Sequence, residues 1–181
     1  MARKIPRFLT PIEVAELFLV SEKSQRDSIL LKCLYFLGLK NAEAQSLLIR
    51  DIDVNKGMVT VRGRKDRSVP IPLGFAEELA RFLGNRNGLL FEGRANGKLS
   101  DRHIRRIVKE WAIKAGVQEA GEVHPHTLRH SYAMHLQNAG VPLGIIQNIL
   151  GHERIKTTAL YTKTDPDKAR EWIEHTFTKK E

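Results

Sequence analysis

The spacing of apolar and polar residues predicts three helices in the first fifty positions. LTPIEVAELFLV begins like a helix, because Thr10 is a suitable cap, Pro11 fits the first turn and Glu13 stands three residues after the cap. SQRDSILLKCLYFLGLK carries enough apolar residues for a mostly buried helix that ends at Gly38. NAEAQSLLIRD is predicted to be a short third helix.

The hydrophobic period then changes to that of a sheet. MVTVRG and RSVPIP are short, rich in Val and Ile, and joined by the polar turn GRKD, which is typical of a β-hairpin. DIDV is a candidate third strand. These segments predict a small antiparallel sheet.

Helical patterns return after the hairpin. We predict five further helices: LGFAEELARFLG, SDRHIRRIVKEWAIKAG, HTLRHSYAMHLQNAG, PLGIIQNILG and a last one from Pro166 to about Phe177. The apolar stripe of the second is formed by Ile104, Ile107, Val108, Trp111, Ala112 and Ala115. The predicted fold class is mainly α with a small three-stranded antiparallel β-sheet, in one domain over residues 1–181.

The amino-acid composition favours a polyanionic partner. The 181 residues contain 30 Lys and Arg against 21 Asp and Glu, a formal charge of +9, which favours DNA, RNA or an anionic membrane surface. No signal peptide is visible, and the longest apolar stretch, ILLKCLYFLGL, is too short to span a bilayer. The single cysteine, Cys33, lies in that stretch and is expected to be buried. We expect a cytoplasmic protein.

The outer face of the helix over residues 100–115 is strongly basic. It carries Arg102, His103, Arg105, Arg106 and Lys109, which Asp101 and Glu110 balance only in part. Two interpretations remain open, a solvated helix face and a surface that binds phosphates.

The stretch HPHTLRH concentrates cationic hydrogen-bond donors. A metal site is disfavoured, because the chain has no Cys pair and no His-Glu-x-x-His motif. His126 and Arg129 are three residues apart, so both side chains can reach one small anion from a helix. His152 follows in LGHERIKTT, and Tyr161 stands nine residues later. We interpret His124, His130 and His135 as structural.

Together these motifs resemble the tyrosine recombinase (phage integrase) family, over nearly the whole chain, as its C-terminal catalytic domain. HTLRH matches the family's His-x-x-Arg box. LGH, followed nine residues later by Tyr161, matches the last motif of the family pattern. YFLGLKNAEAQSLLIRDID and VTVRGRKDRSVPIP match its first conserved block and its hairpin.

The resemblance implies DNA cleavage without a metal or other cofactor. Tyr161 would attack the scissile phosphate and form a 3′-phosphotyrosine, which preserves the bond energy for rejoining. Arg129, His126 and His152 would stabilise the charge that develops on the phosphate. Lys65, in the hairpin turn, is the candidate general acid for the leaving 5′-oxygen. The predicted contacts to the DNA backbone are Arg64, Arg67, Arg102, Arg105, Arg106 and Lys109.

One position departs from the family pattern. The first block normally reads Gly-Leu-Arg, whereas here Lys40 occupies the place of that arginine. Lysine offers a point charge without the planar fork that holds two oxygens. Glu43 matches the acidic residue that orients this region. An active, differently tuned enzyme and a catalytically impaired DNA-binding relative therefore both remain open, as does relaxation of DNA by a type IB topoisomerase-like enzyme.

The resemblance also carries expectations about assembly. We expect the helical core-binding domain of the family to be absent, and DNA affinity to be modest and salt-dependent. The tail over residues 165–181 has an apolar stripe of Ala169, Trp172, Ile173 and Phe177 that can dock on its own domain or on a neighbouring protomer. The implied partners are double-stranded DNA with a specific recombination site and further copies of this chain in a tetramer on that DNA. We expect no membrane partner and an association with the nucleoid or a mobile element.

Overall fold

A computed structural model describes residues 7–93, 97–151 and 166–178. Within these ranges a three-stranded sheet is inserted into a helical protein. The α-helices are α1 (Pro11–Ser21), α2 (Gln25–Phe36), α3 (Asn41–Ser46), α4 (Leu73–Leu83), α5 (Asp101–Lys114), α6 (Pro125–Asn138), α7 (Leu143–Leu150) and α8 (Pro166–Thr178). The strands are β1 (Ile52–Asp53), β2 (Met58–Val61) and β3 (Arg67–Pro70), and short 3₁₀ turns cover Ile49–Asp51 and Ala120–Glu122. The predicted fold class is confirmed.

The first helix begins with the predicted capping box. The Thr10 hydroxyl accepts a hydrogen bond from the Glu13 amide, and the Glu13 carboxylate accepts one from the Thr10 amide. Two amide groups that the first helical turn leaves without partners are thereby satisfied.

The third helix is shorter than predicted. It ends at Ser46, and Leu47 has extended backbone angles. The backbone of this segment pairs instead with a later loop, because the Leu90 amide donates to the Leu47 carbonyl and the Ile49 amide to that of Gly88. These tertiary hydrogen bonds replace those of a longer helix, and local sequence does not reveal them.

The sheet has the order β1-β2-β3 with antiparallel neighbours, as predicted. Val59 pairs with Val69, and both face the core, whereas the paired Thr60 and Ser68 point the other way. Strand β3 contacts α7 and α8. The hairpin turn therefore projects from a sheet that is fixed on one face.

Helix α2 lies at the centre of the core, in contact with α1, α4 and α6. Ile29, Leu30 and Leu34 are fully buried, and Cys33 is buried as predicted. No helix in the described parts of the chain is long and apolar enough to cross a bilayer.

The tail helix α8 docks on its own domain. Ala169 and Ile173 are buried, and a carboxylate oxygen of Glu174 accepts a hydrogen bond from the Leu73 amide. The side chain of Phe177, predicted to complete the apolar stripe, lies outside the described residues. Docking on a neighbouring protomer stays a prediction.

Candidate active site

Arg129 lies on the buried side of α6 and is only 3% exposed. Its guanidinium donates to the carbonyls of Gly38, at the end of the α2 segment, and of Leu150, at the end of α7. The Glu43 carboxylate is 4.0 Å from Nη1. Burial lowers the pKa of Arg129 to about 10, against the opposing charge of Glu43, so the side chain stays protonated at neutral pH. The arginine thus joins three parts of the chain.

Glu43 also binds the guanidinium of Arg67. The two side chains form a bidentate pair at 2.7 and 2.9 Å, each about 10% exposed, and Arg67 Nε donates to the Ile149 carbonyl. Burial alone would raise the pKa of Glu43, but the hydrogen bonds and charges of Arg67, the Lys40 amide and Arg129 hold that pKa below its ordinary value. Arg67, predicted to bind DNA, is therefore engaged inside the protein.

His126 stands in the first turn of α6 and is exposed. Partial burial lowers its pKa, and the charges of Arg129, His124 and His130 act in the same direction. The neutral imidazole is thereby favoured at pH 7, where one ring nitrogen can donate a hydrogen bond.

His124 caps the same helix. Its amide donates to the Thr127 hydroxyl, and its ring stacks near that of His126 with 6.3 Å between the ring centres. From its sequence context, His124 was predicted to have a structural role only. The signal that could have placed it at the site is Pro125, which begins the helix and leaves the preceding residue at the cap.

These side chains meet in a pocket of about 170 Å³, here called the anion pocket. Its lining is formed by Leu39, Lys40, Asn41, Arg105, His124, Pro125, His126 and Arg129. None of these residues is acidic. His126 and Arg129, whose spacing predicted contact with one anion, both line this pocket.

Lys40 is exposed between the anion pocket and a larger cleft of about 660 Å³. Its backbone is fixed by the hydrogen bond from its amide to Glu43. The cleft is lined by Lys40, Glu43, Gly63, Arg64, Lys65, Asp66, Arg67, Gln147, Asn148 and Gly151. The candidate acid Lys65 is exposed at the hairpin, so Lys40 borders both groups of candidate residues.

The basic face of α5 is exposed at Arg102, Arg105, Arg106 and Lys109. Two of these residues have acidic partners on the same helix. Arg105 Nε donates to Asp101 at 2.6 Å, and Arg106 lies 3.5 Å from Glu110. Exposure of all four is compatible with binding to phosphates, and their contact with DNA stays a prediction.

Two predicted site residues, His152 and Tyr161, lie outside the described residues. His135 is structural as predicted, since its buried ring accepts from the Tyr35 hydroxyl and donates to the Leu9 carbonyl. His130 packs edge-on against Phe8. Over the described ranges, no three His, Cys, Asp or Glu side chains come together so as to hold a metal ion.

Solved recombinase structures share this fold. The crystal structure of XerA recombinase matches with a TM-score of 0.79 and 28% identity, over 94% of this chain and 63% of that chain. XerH site-specific recombinase bound to its difH substrate, in a pre-cleavage complex, matches with a TM-score of 0.75 and 25% identity, over 94% of this chain and 55% of that chain. The helices and the sheet therefore have the architecture of recombinase catalytic domains.

Sequence comparison defines the family. Tyrosine recombinase XerA of Pyrococcus furiosus is 38% identical over 182 residues, which cover 95% of this chain and 62% of that protein. Residues 7–168 match the phage integrase family. The chain belongs to the phage integrase family, as its motifs predicted. It spans about three fifths of the length of the curated relatives it matches.

Proposed function

We propose that this chain is the catalytic domain of a site-specific tyrosine recombinase, which cleaves and rejoins double-stranded DNA through a 3′-phosphotyrosine. The observation that carries the proposal is the anion pocket, where Lys40, at the start of α3, comes together with His126 and Arg129 of α6 in a chain of the phage integrase family. A pocket with cationic groups and no carboxylate in its described lining suits a phosphate diester.

The reaction needs a nucleophile, and the proposal assigns that role to Tyr161. Its hydroxyl loses a proton to water as the oxygen attacks phosphorus, the bond from phosphorus to the 5′-oxygen breaks, and Lys65 gives a proton to the leaving oxygen. Rejoining runs the same steps backwards, so no external energy source is required. His152 is proposed to add a hydrogen bond to the phosphate, as in the family pattern.

Arg129, His126 and Lys40 are proposed to stabilise the negative charge on the phosphoryl oxygens. Of the five N–H donors of a guanidinium, Arg129 uses two on the carbonyls of Gly38 and Leu150. Within the described residues the other three donors have no hydrogen bond, and we propose that they bind a nonbridging oxygen, to which His126 can donate one further hydrogen bond. Because Arg129 is fixed in place, its donors need no reorganisation as charge develops.

The partner of this pocket is proposed to be duplex DNA carrying a recombination site. The solved XerH complex contains its difH substrate, which supports a DNA partner for a protein of this fold. The hairpin and the exposed face of α5 would contact the DNA backbone, and several copies of the chain would assemble on one site.

The test is covalent trapping. A library of nicked duplexes with a randomised segment is incubated with the protein in EDTA, denatured and separated by electrophoresis. The expected result is a protein–DNA adduct that resists EDTA and is lost in Tyr161→Phe. Sequencing the trapped DNA identifies the site, which is then used as a single suicide substrate.

A variant at Lys40 distinguishes an active enzyme from a catalytically impaired DNA-binding relative. Lys40→Arg restores the planar fork, so a low adduct yield that rises in this variant indicates a weakened recombinase. Binding without an adduct in either protein contradicts the recombinase proposal and supports the non-cleaving relative. Adducts that disappear with EDTA would instead indicate metal-dependent chemistry.

A further inference from the structure

Arg105 is the only described residue of the α5 basic face that also borders the anion pocket. Arg102, Arg106 and Lys109 share its helix and its exposure but are absent from the lining. Arg105 therefore differs in position from the neighbours with which its sequence pattern groups it.

The side chain of Arg105 is held from one edge. Its Nε donates to Asp101, and the other carboxylate oxygen of Asp101 accepts from the Asn41 amide group at 2.5 Å. Asn41 directly follows Lys40 and also borders the pocket. Hydrogen bonds from Asn41 and then Arg105 lower the pKa of Asp101, so this bridge between α3 and α5 stays ionised near neutral pH.

The bridge leaves the other edge of the guanidinium available. Within the described chain, the two terminal amino groups of Arg105 have no hydrogen-bond partner, and the side chain is 58% exposed. Two parallel N–H donors on one planar edge match two oxygens of a phosphate.

We propose that Arg105 binds the scissile phosphate and supplies the planar fork that Lys40 lacks, with Asp101 and Asn41 as positioning residues. The inference rests on the proposed function and adds to it a specific phosphate-binding group. Lys40 then contributes a point charge, while Arg105 contributes bidentate geometry from α5 to the same pocket.

The first test compares Arg105→Ala with Arg81→Ala in single-turnover cleavage of the trapped suicide substrate. Removal of a well-aimed donor lowers rates by about 10²-fold, which is the expected loss for Arg105→Ala at saturating protein. Arg81→Ala is the matched control, an exposed arginine on α4 that lines neither the anion pocket nor the cleft, and is expected to leave the saturated rate unchanged. Equal behaviour of the two variants overturns the inference.

The second test removes the charge that Arg105 is proposed to meet. A methylphosphonate at the scissile position replaces a charged oxygen with a methyl group, so a residue that stabilises that charge becomes dispensable. Arg105→Ala is expected to cleave this neutral substrate within about tenfold of wild type, whereas its defect on phosphate persists. An unchanged defect on both substrates indicates a merely structural role and overturns the inference.

A double variant, Arg105→Ala combined with Lys40→Arg, distinguishes lost phosphate binding from misfolding. The same experiment distinguishes failure of this inference from failure of the proposed function. In the Lys40→Arg background the new arginine supplies the planar fork, so Arg105→Ala is expected to lower the cleavage rate by less than about tenfold. A full loss in that background contradicts the inference. Absence of any Tyr161-dependent adduct in wild type and in Lys40→Arg instead defeats the proposed function, which distinguishes the two failures. Thermal melting of each variant checks that the fold is retained.

Discussion

Removal of the charge on Glu43 is expected to destabilise the protein strongly. Glu43→Gln leaves the guanidiniums of Arg67 and Arg129 facing each other without the anion between them, in a region where the paired side chains are about 10% exposed or less. Breaking a buried ion pair by removing one partner costs about 3–5 kcal/mol. Glutamine still accepts one hydrogen bond, so we expect the lower end, about 3 kcal/mol.

The measurement is urea and thermal unfolding followed by circular dichroism. A loss of about 3 kcal/mol corresponds to a Tm lower by roughly 6–12 °C for a chain of this size. The matched control is Glu77→Gln on the exposed side of α4, which is expected to change stability by less than about 0.5 kcal/mol. Equal stabilities of the two variants would refute the role given to Glu43.

The pH dependence gives an internal check on the same prediction. The folded protein holds the pKa of Glu43 below its ordinary value, so the stabilisation is complete above the unfolded pKa of about 4.3 and is lost as pH falls through the folded pKa. The difference between wild type and Glu43→Gln must therefore shrink in acid. A difference that stays constant down to low pH would show that packing, and not charge, is responsible.

Two further predictions concern the supports of the site. Gly38→Ala places a Cβ in collision with Leu150 Cδ2 at a positive φ, whereas Gly116→Ala has a positive φ and no atom within 4 Å of the added Cβ. We expect the free energy of unfolding in urea to fall by at least about 1 kcal/mol more in Gly38→Ala than in this control. Burial lowers the pKa of His135, against its bond to the Leu9 carbonyl, so its stabilisation is complete above about pH 6.5 and is lost on acidification; His135→Gln should reduce the pH slope of stability by up to about 1.4 kcal/mol per unit.

Local signals were sufficient for most of the fold. The capping residues of α1 and the change of period at the hairpin act within a few residues, and the structure confirms both. The end of α3 could not be predicted in this way, because the Leu47 carbonyl and the Ile49 amide bond to a loop some forty residues later. Helix length there depends on a tertiary partner that the local pattern does not contain.

The candidate site, like the fold, was predictable from local sequence only in part. Helical spacing placed His126 and Arg129 near one anion, and both border the anion pocket. The depth of Arg129 and the pairing of Arg67 with Glu43 could not be read from sequence, since a basic residue in a hairpin is usually solvated. Burial of these charges depends on which helix ends pack around them.

Those buried guanidiniums also hold the carboxyl end of α7. Arg67 donates to the carbonyl of Ile149 and Arg129 to that of Leu150, so two cations satisfy carbonyls that the last turn of a helix leaves without partners. Positive charge at the carboxyl end of a helix also interacts favourably with the helix dipole. Gly151, which directly precedes His152 in the sequence, follows these two carbonyls, so the two cations also help to fix the position of Gly151. An activity loss in an Arg129 variant is therefore attributable to phosphate binding only when its stability equals that of wild type.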